Sequence, residues 1–519
     1  MRPSDIQLHT TAHGTILLPE ARQENGDWVS SNAKAAFRLE KIGAEALSLF
    51  RVRAELTARE DQNGSPVSFR MESGVEFLIR DCPPDDPAPV LSIYQHKPWW
   101  TRPGFRNRAA DVPDHTQLVI GKADKDGEYI VFLAVCGDHA RTDISGSERG
   151  LKIAVSSFSS GNACIEDLIF GCGTGRDPFA VTDALVQAAI GERTQTVELL
   201  GRKRVPEWTD RLGWCTWDSL GQDVNEKAIF EKMDELAEKQ VPIGWVLIDD
   251  GWSEVDPQKK TLKSFFADPE KFPLGLAHTV RVLKEKYHVR QVGVWQAFKG
   301  YWNGVEPYSQ AWSMTASWLQ QYGNGEWMVR PDEGSSFGFW NTWHSILRSQ
   351  GIDFVKVDGQ SSLPLLLRGT NAYMEGIRRI HDGLEASVCL NFDGALINCM
   401  GMGPESMWSR KRSCLVRTSD DFLPCHPGSF YAHALQNVFS NVLAGSLYTG
   451  DFDMFWSRHK DARVSAVLRA VSGGPVYVSD AAGRTDEQLL SLMTADDGTL
   501  LKADTIARPS QDCLLGTPF

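Results

Sequence analysis

The chain has 519 residues, of which 42% are hydrophobic and 23% charged, a composition typical of a soluble globular protein with two or more domains. Its net charge of −13 at pH 7, without a long basic run, argues against a nucleic-acid partner. No stretch approaches membrane-spanning length, and the N-terminus lacks the apolar segment of a signal peptide. The ten cysteines are scattered singly, so we expect reduced thiols in a cytoplasmic protein.

Residues 1–205 are predicted to form an antiparallel β-sandwich domain. Short apolar runs separated by Gly, Pro, Asp and Asn indicate the strands; they are residues 46–52, 117–120 and 129–135. A helix that closes this domain is expected after Asp177, a suitable N-cap, and runs to Ile190. A linker is expected at 202–206.

Residues 206–495 are predicted to form a (β/α)8 TIM barrel. Short apolar strands alternate here with longer amphipathic helices, the clearest of which are 225–239 and 486–494. Eight strand candidates in roughly 270 residues fit the size of such a barrel. The candidates are residues 212–217, 245–249, 291–296, 354–358, 387–392, 414–419, 445–450 and 476–479.

The connection after the third strand candidate, residues 298–339, is unusually long. Six tryptophans lie in it or just beyond it: Trp302, Trp312, Trp318, Trp327, Trp340 and Trp343. Long loops that follow barrel strands usually shape the binding site, and indole rings stack on sugar faces. The same rings also fill cores, so a small packed subdomain is an alternative interpretation.

The fourth strand candidate carries Lys356 and Asp358, with Gly359 directly after it. Because side chains alternate along a strand, both charged groups face the same way, near the strand end where barrel enzymes carry their chemistry. An edge strand with a solvent-exposed charge pair is the alternative. Lys356 is expected to favour the ionised form of Asp358 and to lower its pKa, as a nucleophilic carboxylate requires.

Carboxylates also follow most of the other strand candidates. They are Asp218, Asp249, Asp250, Asp393, Asp420, Asp421, Asp451, Asp453 and Asp480. A Mg²⁺ site is one interpretation, although the histidines of common nitrogen-rich metal sites are absent. Glycoside chemistry is the other, because it needs two carboxyl groups and hydrogen-bonding partners for sugar hydroxyls. The neighbouring Asp420 and Asp421 would then hold one proton by mutual repulsion.

Several motifs in the same order resemble the family 36 glycoside hydrolases, the α-galactosidase family. The similarity is greatest to its raffinose synthase and seed-imbibition-protein branch. The motifs are 247–252 (LIDDGW), 265–276 (FFADPEKFPLGL), 356–358 (KVD), 417–422 (RTSDDF), 453–455 (DMF), 474–480 (GPVYVSD) and 508–514 (RPSQDCL). The resemblance covers the predicted barrel well and the N-terminal domain loosely.

The resemblance implies a small carbohydrate substrate and a retaining double displacement through a galactosyl-enzyme intermediate, without metal or cofactor. Asp358 matches the nucleophile. Asp421 matches the general acid/base through the Arg-x-x-x-Asp pattern that starts at Arg417, and Asp420 is the competing candidate. Seven residues are expected to bind the substrate: Trp217, Asp249, Asp250, Trp295, Lys356, Arg417 and Asp420. For Asp249 and Asp250, a plain turn after a strand is the alternative.

Two features depart from the family pattern. Residues 391–393 (NFD) replace a cysteine- and glycine-containing motif after the fifth strand, and 496–519 would be the start of a truncated C-terminal β domain. Three functions follow. The first is a retaining α-galactosidase that acts on raffinose-type oligosaccharides, and the alternative is a galactosyltransferase that moves galactose from galactinol to sucrose. A non-catalytic carbohydrate-binding relative is the third.

Overall fold

The computed structural model describes residues 3–44, 46–57, 60, 64–80, 88–123, 127–194, 197–371 and 373–516. Cys82, one of the cysteines expected to be reduced, lies outside these residues, as do Met1, Arg2 and 517–519. None of the helices within the described ranges is long and apolar enough to cross a membrane.

The N-terminal region folds as an antiparallel sheet. Its strands are β1 (Pro3–His9), β2 (Thr15–Leu17), β3 (Arg22–Glu24), β4 (Asp27–Ser31), β5 (Ala35–Ala44), β6 (Leu47–Leu56), β7 (Val75–Arg80), β8 (Val90–Lys97), β9 (Trp100–Arg106), β10 (Thr116–Lys122), β11 (Tyr129–Ala134), β12 (Arg141–Ser147), β13 (Gly150–Ser156) and β14 (Cys164–Gly175). The three predicted apolar runs coincide with β6, β10 and β11.

These strands form one continuous hydrogen-bonded sheet in the order β2-β1-β7-β13-β12-β10-β11-β14-β6-β5-β4-β3, with β8 paired to β10 and β9 to β8. The predicted sandwich of two separate sheets is therefore not confirmed. Strand twist accumulates over so many strands, and the sheet curls until distant strands face each other. Phe37 on β5 and Phe77 on β7 show this, since their ring centroids are 5.4 Å apart.

A helix closes the N-terminal region as predicted. Helix α1 (Pro178–Glu192) begins after Asp177, whose side chain accepts hydrogen bonds from two backbone N–H groups of the first turn. Its buried face, which includes Leu185 and Val186, covers β14, β11 and β6. The helix thereby joins the antiparallel sheet to the second half of the chain.

The second half contains the strands β15 (Leu212–Cys215), β16 (Ile243–Ile248), β17 (Ser253–Asp256), β18 (Thr261–Ala267), β19 (Gln291–Ala297), β20 (Leu319–Gln321), β21 (Trp327–Val329), β22 (Phe354–Asp358), β23 (Leu396–Asn398), β24 (Leu415–Arg417), β25 (Thr449–Asp451) and β26 (Tyr477–Val478). Eight of them form an all-parallel sheet in the order β25-β24-β23-β22-β19-β16-β15-β26. A parallel bridge between Phe455, just after β25, and Val478 on β26 links the two ends of this order. The chain is thus a mixed α/β protein with an antiparallel and a parallel part.

Helices follow the parallel strands. They are α2 (Trp217–Leu220), α3 (Glu226–Glu238), α4 (Leu276–Glu285), α5 (Gln310–Thr315), α6 (Glu333–Ser349), α7 (Leu363–Leu367), α8 (Tyr373–Phe392), α9 (Pro404–Met407), α10 (Ser429–Ala444), α11 (Ala462–Ser472) and α12 (Glu487–Ser491). The predicted helices at 225–239 and 486–494 correspond to α3 and α12, each with its first predicted residue as the N-cap.

The fifth predicted strand is wrong. Residues 387–392 form the last turns of α8, because buried side chains recur at helical spacing from Tyr373 onward. Asp393 and Gly394, with φ of 54° and 82°, end the helix, and the true strand is β23. Asp393 pairs instead with Arg204, away from the carboxyl ends of the strands.

The tryptophan-rich connection combines both of its predicted roles. Trp340 and Trp343 are fully buried and stack with centroids 5.9 Å apart, and Trp312 packs edge-on against Trp327. Only Trp302 of this set lines the cavity described below. Most of the connection is therefore a packed subdomain that supports a single site-facing ring.

Residues 496–516, which were predicted to start a further β domain, contain no β-strand in the described range. They contribute isolated bridges between Arg211 and Thr499 and between Thr494 and Leu500. Arg508 binds Asp183 of α1 through two hydrogen bonds of 2.8 and 2.5 Å. This segment therefore packs on the rest of the described chain, and the further domain stays a prediction.

Candidate active site

A cavity of 280 Å³ lies where the parallel strands end. Eight of the nine predicted site residues line it: Trp217, Asp249, Asp250, Trp295, Lys356, Asp358, Asp420 and Asp421. The ninth, Arg417, is completely buried and forms an ion pair with Asp421. The fold therefore assembles residues that are up to 204 positions apart in the sequence, from Trp217 to Asp421, around one space.

Asp358 ends β22 and is held by two donors. Trp295 Nε1 donates to Asp358 Oδ2 at 3.1 Å, and the backbone N–H of Gly359 donates to Oδ1 at 2.7 Å. Burial raises the pKa of Asp358, and the charge of Lys356 opposes this rise while that of Asp421 adds to it. Lys356 thus acts in the predicted direction, but burial outweighs it. The donors fix the carboxylate in one orientation at the cavity wall.

Lys356 makes its hydrogen bond to Asp249. Its Nζ lies 2.8 Å from Asp249 Oδ2, and both side chains are 4% exposed. Burial would lower the pKa of Lys356, but the charge of Asp249 outweighs it and keeps the pKa well above its ordinary value. The backbone N–H of Asp249 also donates to Thr216 Oγ1 at 2.9 Å. An ion pair therefore forms the floor of the cavity.

Asp250 follows directly and is surrounded by donors from the long connections. Gln222 Nε2 and Trp302 Nε1 donate to its Oδ2 at 2.9 and 3.2 Å, and the Tyr301 hydroxyl donates to Oδ1 at 3.0 Å. Burial raises the pKa of Asp250, and these hydrogen bonds oppose that rise. The arrangement positions a carboxylate at the cavity wall, which a plain turn after a strand would not require.

Arg417 ends β24 and connects two carboxylates. Its guanidinium lies 2.8 Å from Asp453 and 3.1 Å from Asp421, and it stacks over the ring of Trp100. Burial would raise the pKa of Asp453, but Arg417 and His433 outweigh it and lower the pKa. Asp421 itself is 59% exposed, so its carboxyl is open to solvent while its Oδ1 accepts a hydrogen bond from Arg417.

Asp420 is bound differently from its neighbour. His96 Nε2 lies 2.9 Å from one carboxylate oxygen, and Lys97 Nζ donates to the other at 2.6 Å. Burial would raise the pKa of Asp420, but these two hydrogen bonds outweigh it and lower the pKa to about 2. The expectation that repulsion between Asp420 and Asp421 retains a proton on the pair therefore does not hold for Asp420. It is a fixed anion, which leaves Asp421 as the acid/base candidate.

Part of the site comes from the N-terminal region and was not predicted from the sequence. The turn between β8 and β9 brings Lys97, Trp99 and Trp100 into the cavity. Gln436 on α10 fastens this hairpin, since its Nε2 donates to the carbonyl of Thr101 at 2.7 Å. Two adjacent tryptophans after a lysine were a signal of sugar binding, but nothing in the sequence indicated that a hairpin of the antiparallel sheet reaches the parallel strands.

Asp218, one of the carboxylates predicted to follow the strands, was given no role in the site. Its Oδ2 is buried and has no hydrogen-bond partner among the described residues. Burial, and then the negative charges of Asp453 and Asp421, raise the pKa of Asp218 to about 8. This pKa favours the neutral form of the Asp218 carboxyl at pH 7. No set of three or more His, Cys, Asp or Glu side chains in the described ranges is arranged to hold a metal ion.

Comparison with known protein families shows which family the chain belongs to. The family described as raffinose synthase or seed imbibition protein Sip1 matches residues 51–272 and 258–519, nearly the whole chain. The chain belongs to this family. A probable galactinol–sucrose galactosyltransferase of Arabidopsis thaliana is 30% identical over 487 residues, which cover 82% of this chain and 64% of that protein. The stachyose synthase of Pisum sativum is 23% identical over 88% of this chain.

This member of the raffinose synthase family spans about 64% of the length of the first curated relatives it matches. Among solved structures, an α-galactosidase from Thermus thermophilus has a TM-score of 0.57 at 14% identity, with 87% of this chain and 94% of that chain covered. The family 36 α-galactosidase AgaA from Geobacillus stearothermophilus has the same TM-score and identity over 94% of this chain and 75% of its own. At this identity the structural comparisons establish the shared fold.

Proposed function

We propose that this chain is a retaining enzyme that removes terminal galactose from α-galactosides of the raffinose type and transfers it to water. The observation that carries the proposal is the cavity in which Asp358 and Asp421 meet the Asp249–Lys356 ion pair and Asp250. Two carboxyl groups perform glycoside cleavage, and buried carboxylates and cations hold sugar hydroxyls through directional hydrogen bonds. Trp295, Trp302 and the hairpin tryptophans offer ring faces for the sugar.

In the first step, the Asp358 carboxylate attacks the anomeric carbon while Asp421 gives its proton to the glycosidic oxygen. The bond from the anomeric carbon to the leaving group breaks, and a galactosyl–Asp358 ester forms. The hydrogen bonds from Trp295 and Gly359 orient the attacking oxygen. The exposure of Asp421 suits contact with a leaving group that must depart.

In the second step, Asp421 removes a proton from water as the water oxygen attacks the anomeric carbon. The ester bond to Asp358 breaks, galactose leaves, and Asp421 is protonated again. Asp249, Asp250 and Lys356 are proposed to grip the hydroxyls of the galactose ring throughout. Arg417 and Asp420 would keep the loop that carries Asp421 in place.

A second candidate function uses the same intermediate with a sugar hydroxyl as the acceptor. It is favoured by the sequence relatives, whose names describe galactinol–sucrose galactosyltransferases and a stachyose synthase. A non-catalytic carbohydrate-binding role is the third candidate, and the two oriented carboxyl groups argue against it.

We further propose that the eight parallel strands make a closed (β/α)8 barrel, and the Phe455–Val478 bridge supports this proposal.

One assay separates these functions. The protein is incubated with raffinose or melibiose, and separately with galactinol plus sucrose, and free galactose and new trisaccharide are measured. Galactose release alone supports the hydrolase, and net trisaccharide formation supports the transferase. No turnover of either mixture, with wild type and Asp358→Asn indistinguishable, overturns the catalytic proposal. Cytoplasmic location remains a prediction that cell fractionation would test.

A further inference from the structure

Helix α10 carries polar side chains along its buried face, where a helix usually presents apolar ones. Five buried polar residues recur at helical spacing and form this polar stripe: His433, Gln436, Asn437, Ser440 and Asn441. Burying a hydrogen-bonding side chain is costly unless it finds a partner. The partners of the stripe therefore indicate what it does for the fold.

The first partners lie in the acid/base loop, residues 418–422, which follows β24. The Thr418 hydroxyl donates to Asn437 Oδ1 at 2.6 Å. The backbone N–H of Asp420 donates to Gln436 Oε1 at 3.0 Å. The helix therefore binds the chain directly before the proposed acid/base carboxyl.

The other partners lie in β9 of the N-terminal region. Gln436 Nε2 donates to the carbonyl of Thr101 at 2.7 Å, and Thr101 Oγ1 lies 3.0 Å from Ser440 Oγ. Phe105 packs edge-on against Phe439 of the same helix, with ring centroids 5.1 Å apart. Because β9 follows the turn that lines the active-site cavity, α10 also fixes the hairpin wall of that cavity.

Gln436 connects the acid/base loop directly to the hairpin. Its side-chain oxygen accepts from Asp420 and its nitrogen donates to Thr101, the one orientation that an N–H donor and a carbonyl acceptor allow. The side chain is 3% exposed, so water does not compete for these bonds. The Asp420 carboxylate adds a second connection, since it binds His96 and Lys97 of the hairpin.

We infer that Gln436 is a positioning residue for the acid/base group, an inference that rests on the proposed role of Asp421 in both steps. Asp421 is 59% exposed, so its position depends on the backbone that carries it as well as on its bond to Arg417. Gln436 fixes the N–H of the preceding residue and thereby limits where the carboxyl lies relative to the glycosidic oxygen. The N-terminal region thus takes part in proton transfer through β9, in addition to lining the cavity.

Loss of this positioning should affect the steps that need proton transfer. Cleavage of melibiose needs a proton on a poor leaving group, whereas p-nitrophenolate leaves with little assistance. Gln436→Met keeps the length of the side chain and removes both hydrogen bonds. We expect kcat/KM for melibiose to fall about tenfold or more, and kcat/KM for p-nitrophenyl α-galactoside to stay within about twofold of the wild type.

The second step gives an independent readout with the p-nitrophenyl donor. Release of galactose needs Asp421 as base, so kcat and KM of Gln436→Met should fall together while kcat/KM is kept. Azide attacks without a base and should raise kcat of the variant. A smaller fraction of folded enzyme would instead lower kcat at unchanged KM, without a response to azide.

Asn441→Ala is the matched control. Asn441 belongs to the same polar stripe but donates to the carbonyl of Ala507 in the C-terminal segment. Its loss should leave the ratio of the two kcat/KM values unchanged. If Gln436→Met fails to fold, Gln436→Asn replaces it; this side chain is too short to bind both backbones and should lower the same ratio.

Hydrogen exchange read by mass spectrometry tests the connection without activity. Gln436→Met should speed exchange in both residues 418–422 and residues 95–102, and Asn441→Ala in neither. The inference is overturned if folded Gln436 variants keep the wild-type ratio, if Asn441→Ala lowers it equally, or if exchange is unchanged. Absence of nitrophenol release from folded wild type would instead refute the proposed function, while the exchange result would still show whether Gln436 connects loop and hairpin.

Discussion

Lys356 and Asp249 form a buried ion pair that joins β22 to the end of β16, with Nζ and Oδ2 2.8 Å apart. Each group is removed from water, so each depends on the other for compensation of its charge. The pair lies under the cavity and beside Asp358. Its loss therefore affects both the stability of the fold and the shape of the site.

Lys356→Met is expected to lower the free energy of unfolding by about 3–5 kcal/mol, because it leaves the Asp249 carboxylate buried without its cationic partner. The double variant Lys356→Met/Asp249→Asn should recover part of that loss, since no uncompensated charge remains. Thermal unfolding of the wild type, the single variant and the double variant checks this. Equal destabilisation of the single and double variants would contradict the ion-pair explanation.

Asp358→Asn is expected to reduce turnover of an α-galactoside by about 10³-fold or more, because the amide is a poor nucleophile although it fills the same space. Asp393→Asn is the matched control. This aspartate ends α8 and pairs with Arg204 at the surface, so activity should stay within about twofold of the wild type. Steady-state kinetics with p-nitrophenyl α-galactoside measures both. A large effect at Asp393, or none at Asp358, would refute the assignment.

The parallel strands could be predicted because each is a short apolar run followed by a polar turn. The apolar run gave a wrong prediction where a helix, and not a strand, carries such a run. Residues 387–392 have strand-like composition, but the chain before them packs as a helix, and only tertiary context shows this. In the antiparallel region three apolar runs were correctly predicted as strands, whereas the connection of its fourteen strands into one curled sheet depends on edge pairing that composition does not encode.

The site residues on strand ends were predictable for the same reason, since position along a strand determines the face and the end of the sheet. Partners that approach from elsewhere were not. Lys97 and Asp420 are 323 residues apart, and their contact explains why the adjacent aspartates differ. The bonding of Lys356 to Asp249 was likewise hidden, because proximity in sequence favoured Asp358 as its partner.

The difference between Asp420 and Asp421 predicts different responses to azide. Asp421→Gly should still form the intermediate from p-nitrophenyl α-galactoside, whose leaving group needs little acid assistance, and azide should then restore turnover. The product is expected to be α-galactosyl azide, since azide attacks the face opposite the Asp358 ester. Asp358→Gly with azide should instead give the β-azide, by direct displacement.

Asp420→Gly is the discriminating control for that experiment. Asp420 is a fixed anion bonded to His96 and Lys97, so its loss should weaken substrate turnover without rescue by azide. Product stereochemistry is read by proton NMR. If azide rescues Asp420→Gly and not Asp421→Gly, the acid/base role belongs to Asp420.

Asp218 predicts a pH dependence of stability. Its pKa of about 8 in the folded protein lies above the value near 3.9 of an unfolded chain. Between these pH values the folded state retains a proton that the unfolded state has lost, so this group makes stability fall as pH rises from about 4 to about 8. Above about pH 8 the carboxyl is ionised in both states, so Asp218 lowers the stability no further.

Asp218→Asn replaces the carboxyl with a neutral group of the same shape and removes this penalty. The melting temperature of the variant relative to the wild type should therefore rise steadily from pH 5 to pH 8. Asp504→Asn, at an aspartate exposed to solvent, removes one negative charge elsewhere and controls for net charge. Differential scanning fluorimetry across this range measures both. A difference between Asp218→Asn and wild type that stays constant with pH would show that Asp218 is already ionised in the folded protein.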